Sequence, residues 1–198
     1  MKLLSPDLWL KQARADENAS RAAGLAECHR RYLLQQAYEK GVKALALACL
    51  TTKQAKDNQF ASALGGCFLH HHTPVTVFSN KDDAAWEEEL RAAYKGNWEK
   101  LLRELKTVRR TLATEMGRES DKRIVDAWRK IDGTRPSKVI DAVSYRYPFI
   151  QDAYPDGVAP SEWNGWAAYQ GEADHVRDAV ATLLERAGHQ VKTWLRQA

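Results

Sequence analysis

The chain has 198 residues, 44% of them hydrophobic and 28% charged, with a formal net charge of +4. That length and balance suit one soluble domain, or one domain with an embellishment, and the sequence shows no repeat at solenoid spacing and no low-complexity tract. The modest positive charge admits a polyanionic partner without requiring one.

No apolar run approaches the roughly 20 residues that a membrane-spanning helix needs. The opening MKLLSPDLWLKQ lacks an extended apolar core and a small-residue cleavage site, so a cytoplasmic location without membrane contact is expected. Cys28, Cys49 and Cys67 are odd in number and form no CxxC pair, which fits reduced, mostly buried thiols.

Ser5-Pro6-Asp7 reads as a helix start, with Ser as cap, Pro in the first turn and an acid at the positive end of the dipole. Leu8, Ala15, Ala19 and Ala22 are expected to form its apolar side, and Gly24 to end it. A central helix follows from about Ala26 to Leu50, antiparallel to the first because the link is short. Within it Ala37, Gly41, Ala44 and Ala48 make a stripe that a neighbouring backbone can approach closely. Leu34, Tyr38, Val42, Leu45 and Cys49 make a second stripe at helical spacing. A helix apolar on most sides is central, so its interleaved polar groups need partners on other helices.

Gln54 to Leu69 is helical or loop-like, and His70-His71-His72-Thr73-Pro74 turns the chain. Val75 to Phe78 alone has strand character and is too short to found a sheet. Ser79-Asn80-Lys81-Asp82 resembles a capping box before DAAWEEELRAAYK. Asn97 caps a helix from Trp98 to about Met116, closed by Gly117. A short helix spans about Asp121 to Ile131, and another runs from Pro136 to about Ser144. After the turn-rich loop through Pro155-Asp156-Gly157, Ser161 caps a short helix holding Trp163 and Trp166. The last helix, from Glu172 to about Arg196, repeats Ala173, Val176, Val180, Leu183, Ala187, Val191 and Trp194 at three and four residues. The fold class is all-α, an antiparallel helical bundle.

Three stretches, in order, resemble the HEPN family of small helical proteins. They are DLWLKQARADENASRA, then QQAYEKGVKALALA (Gln35 to Ala48), then SYRYPF with its following loop, Pro160 and the closing helix. They are similar to the family's first helix, its QQAxEKxLKALL signature, and its RYPD loop with last helix. The resemblance implies a four- to five-helix core over 1–79 and 134–198, with 80–133 as a helical insertion. It also implies a homodimer with an RNA- or nucleotide-related role in bacterial defence or toxin–antitoxin systems. Active members are metal-independent endoribonucleases that carry an Arg followed a few residues later by a His. Arg146 corresponds best to that Arg, but Tyr147 to Ala153 contain no His. An RNA- or nucleotide-binding protein lacking the usual pair is therefore expected. The alternatives are an endoribonuclease using Arg146 with a remote His, and a helical scaffold that docks a protein partner through 80–133.

Arg146 suits bidentate phosphate binding, with Tyr147 and Tyr145 placed to stack a base or fix the loop. Its structural alternative is an ion pair with an acid such as Glu39. Lys40 and Lys43, three apart, can share a face and meet one phosphate; the alternative is a polar network closing off a buried helix. His71 and His72 are candidates for proton transfer beside Arg146. Consecutive histidines on a helix diverge by about 100°, and no matching ligand spacing lies nearby, so neither a metal nor another cofactor is expected. Arg103, Lys106 and Arg110 share a face of one helix, with Trp98 and Trp128 flanking them, a pattern suited to RNA. The plain alternative is a solvated face with interleaved acids.

Overall fold

The computed structural model describes residues 5–51, 54, 88, 91, 97–117, 127, 131, 145 and 157–197. Every regular element among them is helical: α1 (Pro6–Ala19), α2 (Glu27–Ala48), α3 (Trp98–Gly117), a 3₁₀ helix (Asn164–Tyr169) and α4 (Gln170–Gln197). None of these helices is long and apolar enough to cross a membrane. The strand-like Val75–Phe78, the capping box at Ser79 and the helices expected around Asp121 and Pro136 fall largely or wholly outside the described residues. Of that last region Ala127 and Ile131 are described, and both are helical and buried.

The chain divides into two compact units, and the divisions run through α1, α2 and α4 rather than between helices. The first unit comprises Met1–Leu10, Val42–Arg118 and Glu185–Ala198. Residues 42–48 are buried in every direction, as a central helix requires, and Leu101, Val108 and Leu112 of α3 join Ala187 and Val191 of α4 among the buried apolar residues. Asn97 caps α3 as expected: its Oδ1 accepts the Lys100 amide at 3.1 Å. Thr51 and Gln54 form a reciprocal capping box, since the Thr51 amide donates to Gln54 Oε1 (3.0 Å) and the Gln54 amide to Thr51 Oγ1 (3.3 Å). Gln54 Nε2 also donates to Glu104 of α3.

The second unit comprises Lys11–Gly41 and Glu119–Leu184. A Cβ at Gly41 would stand 2.8 Å from Leu184 Cδ2 and 3.3 Å from Leu183 Cδ2, so these two side chains of α4 fill the space that glycine leaves on α2. The α1–α2 pair is antiparallel: Arg30 near the start of α2 reaches Ser20 just past the end of α1, whereas Lys40 reaches back to Asp16.

Two expectations for the first helix are overturned. Its inward stripe is Pro6, Leu10, Ala13, Asp16, Glu17 and Ser20, whereas Leu8, Ala15, Ala19 and Ala22 are exposed. Polar residues face inward because their groups are paired there: Ser20 Oγ donates to the Glu17 carbonyl, and Asp16 accepts from Gln12 and Lys40. The helix also ends at Ala19, ahead of Gly24. Gly24, at φ +75°, instead turns the link, whose carbonyls at Ser20, Ala22 and Leu25 accept from the Arg30 guanidinium. Ser161 likewise caps nothing. Trp163 takes the residue before the 3₁₀ helix and makes no side-chain cap bond.

Candidate nucleic-acid interface

Three sets of cations have to be told apart before any is assigned to a ligand. The most buried is Arg31 on α2, which is fully inaccessible. It lies one turn after Glu27 and in line with Leu34 and Tyr38, so the apolar stripe of the central helix carries a guanidinium into the core. That charge is held on every side. Nε is 3.2 Å from Glu27 Oε1 and Nη1 is 3.5 Å from Glu172 Oε1. Nη2 donates to the Tyr169 carbonyl at 3.1 Å. The rings of Tyr145 and Trp166 each place their centroid 5.0 Å from its Cζ. Trp166 is fixed in turn by Nε1 donating to the Pro160 carbonyl (3.0 Å) and by an edge-on contact with Trp163 at 4.9 Å.

This knot ties α2, the start of α4, the 3₁₀ helix and Tyr145 together. Its chemistry is cohesive, because the guanidinium is committed to two carboxylates, a carbonyl and two rings. The Tyr145 hydroxyl is buried and has no hydrogen-bond partner among the described residues. Burial pushes its pKa far above the usual tyrosine range, with nearby Arg31 opposing. Tyr145 therefore anchors its segment to Arg31, which is the loop-fixing role of the two considered. Cys28, also buried, has its thiol pKa raised by desolvation, so it is a packing residue. Cys49 is half-buried, and neither thiol is in a disulfide.

Lys40 and Lys43 form the second set, and they do not converge. Lys40 Nζ meets Asp16 Oδ2 at 2.5 Å and Gln36 Oε1 at 3.1 Å. Lys43 is buried and sits 5.0 Å above the Trp9 ring. Both ammonium groups serve the helix packing, as the polar-network alternative has it.

The third set differs in kind. On α3 the buried Leu101, Val108 and Leu112 define the inner face, and Arg103, Lys106 and Arg110 lie on the opposite one. Arg103 and Arg110 are exposed, Lys106 half-exposed. Among the described residues neither guanidinium has a carboxylate within ion-pair distance. Glu104 is turned aside toward Gln54, so among the described residues the one acid on the outward face is Glu99, in the first turn. Three cations within two turns make a local positive ridge that can meet a polyanion's phosphates. Trp98 does not join it. The indole lies about 110° round the helix from the middle of the ridge, and the Arg91 guanidinium stands 5.8 Å over its ring.

Arg146, Tyr147, His71, His72 and Trp128 lie outside the described residues. Among the described residues no group of three His, Cys, Asp or Glu side chains stands close enough to hold a metal ion. Sequence reasoning missed Arg31, and the signal was present: a charge on the Leu34–Tyr38 stripe with an acid four residues earlier. The chain matches no protein-family model, no curated protein and no solved structure.

Proposed function

We propose that this protein is a HEPN-like helical RNA-binding protein of a bacterial defence or toxin–antitoxin type system, acting in the cytoplasm as a homodimer. The reading holds that it lacks the family's usual Arg/His ribonuclease pair. One observation carries the binding part: the outward ridge of Arg103, Lys106 and Arg110, whose two arginines have no internal carboxylate partner among the described residues. Arg31 and Lys40 are spent inside the fold, Arg31 on Glu27 and Glu172, Lys40 on Asp16. The family assignment rests on the ordered sequence signatures, and the loss of the ribonuclease pair on the absence of a His close after Arg146.

The test is incubation of the purified protein with mixed cellular RNA in EDTA, followed by native electrophoresis. The proposal expects a shift that Arg103→Glu with Arg110→Glu abolishes, and RNA that stays intact. Fragments that vanish in Arg146→Ala would make the protein an endoribonuclease instead. An unshifted RNA beside an unchanged fold would leave the scaffold reading.

A further inference from the structure

Resting on the RNA-binding reading, we propose that Gln54 is a positioning residue for it. Its side chain holds the Glu104 carboxylate away from Arg103 and Arg110, and so keeps those two charges open to phosphate. Gln54 is half-buried and lies beyond the end of α2, in the same compact unit as α3. The capping box with Thr51 fixes it from two directions: Oε1 accepts from the Thr51 amide at 3.0 Å, and the Gln54 amide donates to Thr51 Oγ1 at 3.3 Å. With its oxygen so engaged, the carboxamide has its NH2 to offer, and a carboxylate is a strong acceptor. Nε2 donates to Glu104 Oε2 at 3.2 Å.

The hold matters because of what surrounds Glu104 on α3. Its neighbours at three and four residues are Leu101, Lys100, Thr107 and Val108. Leu101 and Val108 are buried, whereas Lys100 and Thr107 are exposed. A carboxylate released by Gln54 does not move inward, where it would lose its water without gaining a partner. It moves outward, toward Lys100 and Thr107. Thr107 lies four residues after Arg103 and three before Arg110, on their side of the helix. The released charge would stand beside both guanidiniums and repel an approaching phosphate. Gln54 is neutral, so it sets the place of the negative charge and not its amount.

The experiment measures binding of a fluorescein-labelled RNA of mixed sequence by anisotropy, at low salt, where a single charge is least screened. Wild type, Gln54→Ala, Glu104→Gln and the double variant form a cycle, and circular dichroism verifies each fold. Gln54→Ala is expected to bind about threefold more weakly than wild type, chiefly through slower association. Glu104→Gln is expected to bind at least as tightly as wild type. The double variant is expected to match Glu104→Gln, because without a charge at 104 the hold has no effect on binding. Where Gln54→Ala fails to fold, Gln54→Glu takes its place, since glutamate keeps the box with Thr51 and lacks the donor to Glu104. Its own charge is present with and without Glu104, so the difference between the two losses still reports the hold. An equal loss in both backgrounds overturns the inference, because Gln54 would then act on structure alone. Unchanged binding in Gln54→Ala overturns it too, and either result leaves the RNA-binding reading standing. Wild type that binds no RNA overturns both.

Discussion

Arg31 and Arg103 are the same residue type on two helices, and their surroundings give them opposite uses. Arg31 is sealed between Tyr145 and Trp166 with Glu27 and Glu172 as counterions, so its charge is fully committed inside the fold. Arg103 stands on an outward face whose neighbours Lys106 and Arg110 repel it. A buried charge is kept because its partners would be stranded without it. An exposed charge with no carboxylate beside it among the described residues, as at Arg103 and Arg110, adds little to the fold.

The sharpest way to break this comparison is to remove each arginine and measure stability. Arg31→Ala takes the buried counterion from Glu172, leaves Glu27 with Arg30 alone, and should cost about 3 kcal/mol in urea unfolding. Arg103→Ala should stay within about 0.5 kcal/mol of wild type. Equal costs at the two sites would dissolve the distinction.

Gly41→Val tests whether close helix approach, rather than charge, holds the second unit. Its Cβ would press on Leu184 and Leu183, with an expected loss of about 1–3 kcal/mol. A neutral result would mean α4 yields easily. Below that in size is the Asp16–Lys40 pair, partly shielded from solvent. A double-mutant cycle with Asp16→Asn and Lys40→Met should give a coupling of about 1 kcal/mol, shrinking in high salt. Coupling near zero would make Lys40 available to a ligand after all.

Smallest is Tyr145→Phe. The hydroxyl has no partner among the described residues, so its removal should change stability by less than about 1 kcal/mol at neutral pH. The consequence appears in alkali. The folded state holds the phenol proton more tightly than the unfolded chain does, so stability is full below the usual tyrosine pKa of about 10 and falls as pH rises above it. The Phe variant should lose this part of the alkaline decline. An unchanged alkaline limb would mean that Tyr145 is not sealed against Arg31.

What the sequence made legible follows the reach of its signals. The Asn97 cap, the Gly41 stripe and the outward placement of Arg103, Lys106 and Arg110 depend on residues within a few turns, and all three could be read locally. The inward side of α1 could not. Asp16 is buried because Lys40, 24 residues later, comes to meet it, and an apolarity pattern gives no weight to such a pair. The Arg31 knot shows both limits at once: Glu27 was a local clue, but Tyr145, Trp166 and Glu172 are more than a hundred residues away. Trp98 misled for a related reason. Nearness in sequence to basic residues did not place it on their face.

RNA contact through α3, as proposed, has its clearest test in the salt dependence of binding. If Arg103, Lys106 and Arg110 each neutralise a phosphate, log K should fall linearly with log salt. Arg103→Ala and Arg110→Ala should each then shallow the slope by about 1, with binding weakened alike across RNA sequences. A wild-type slope near zero, or one that neither substitution changes, would contradict it.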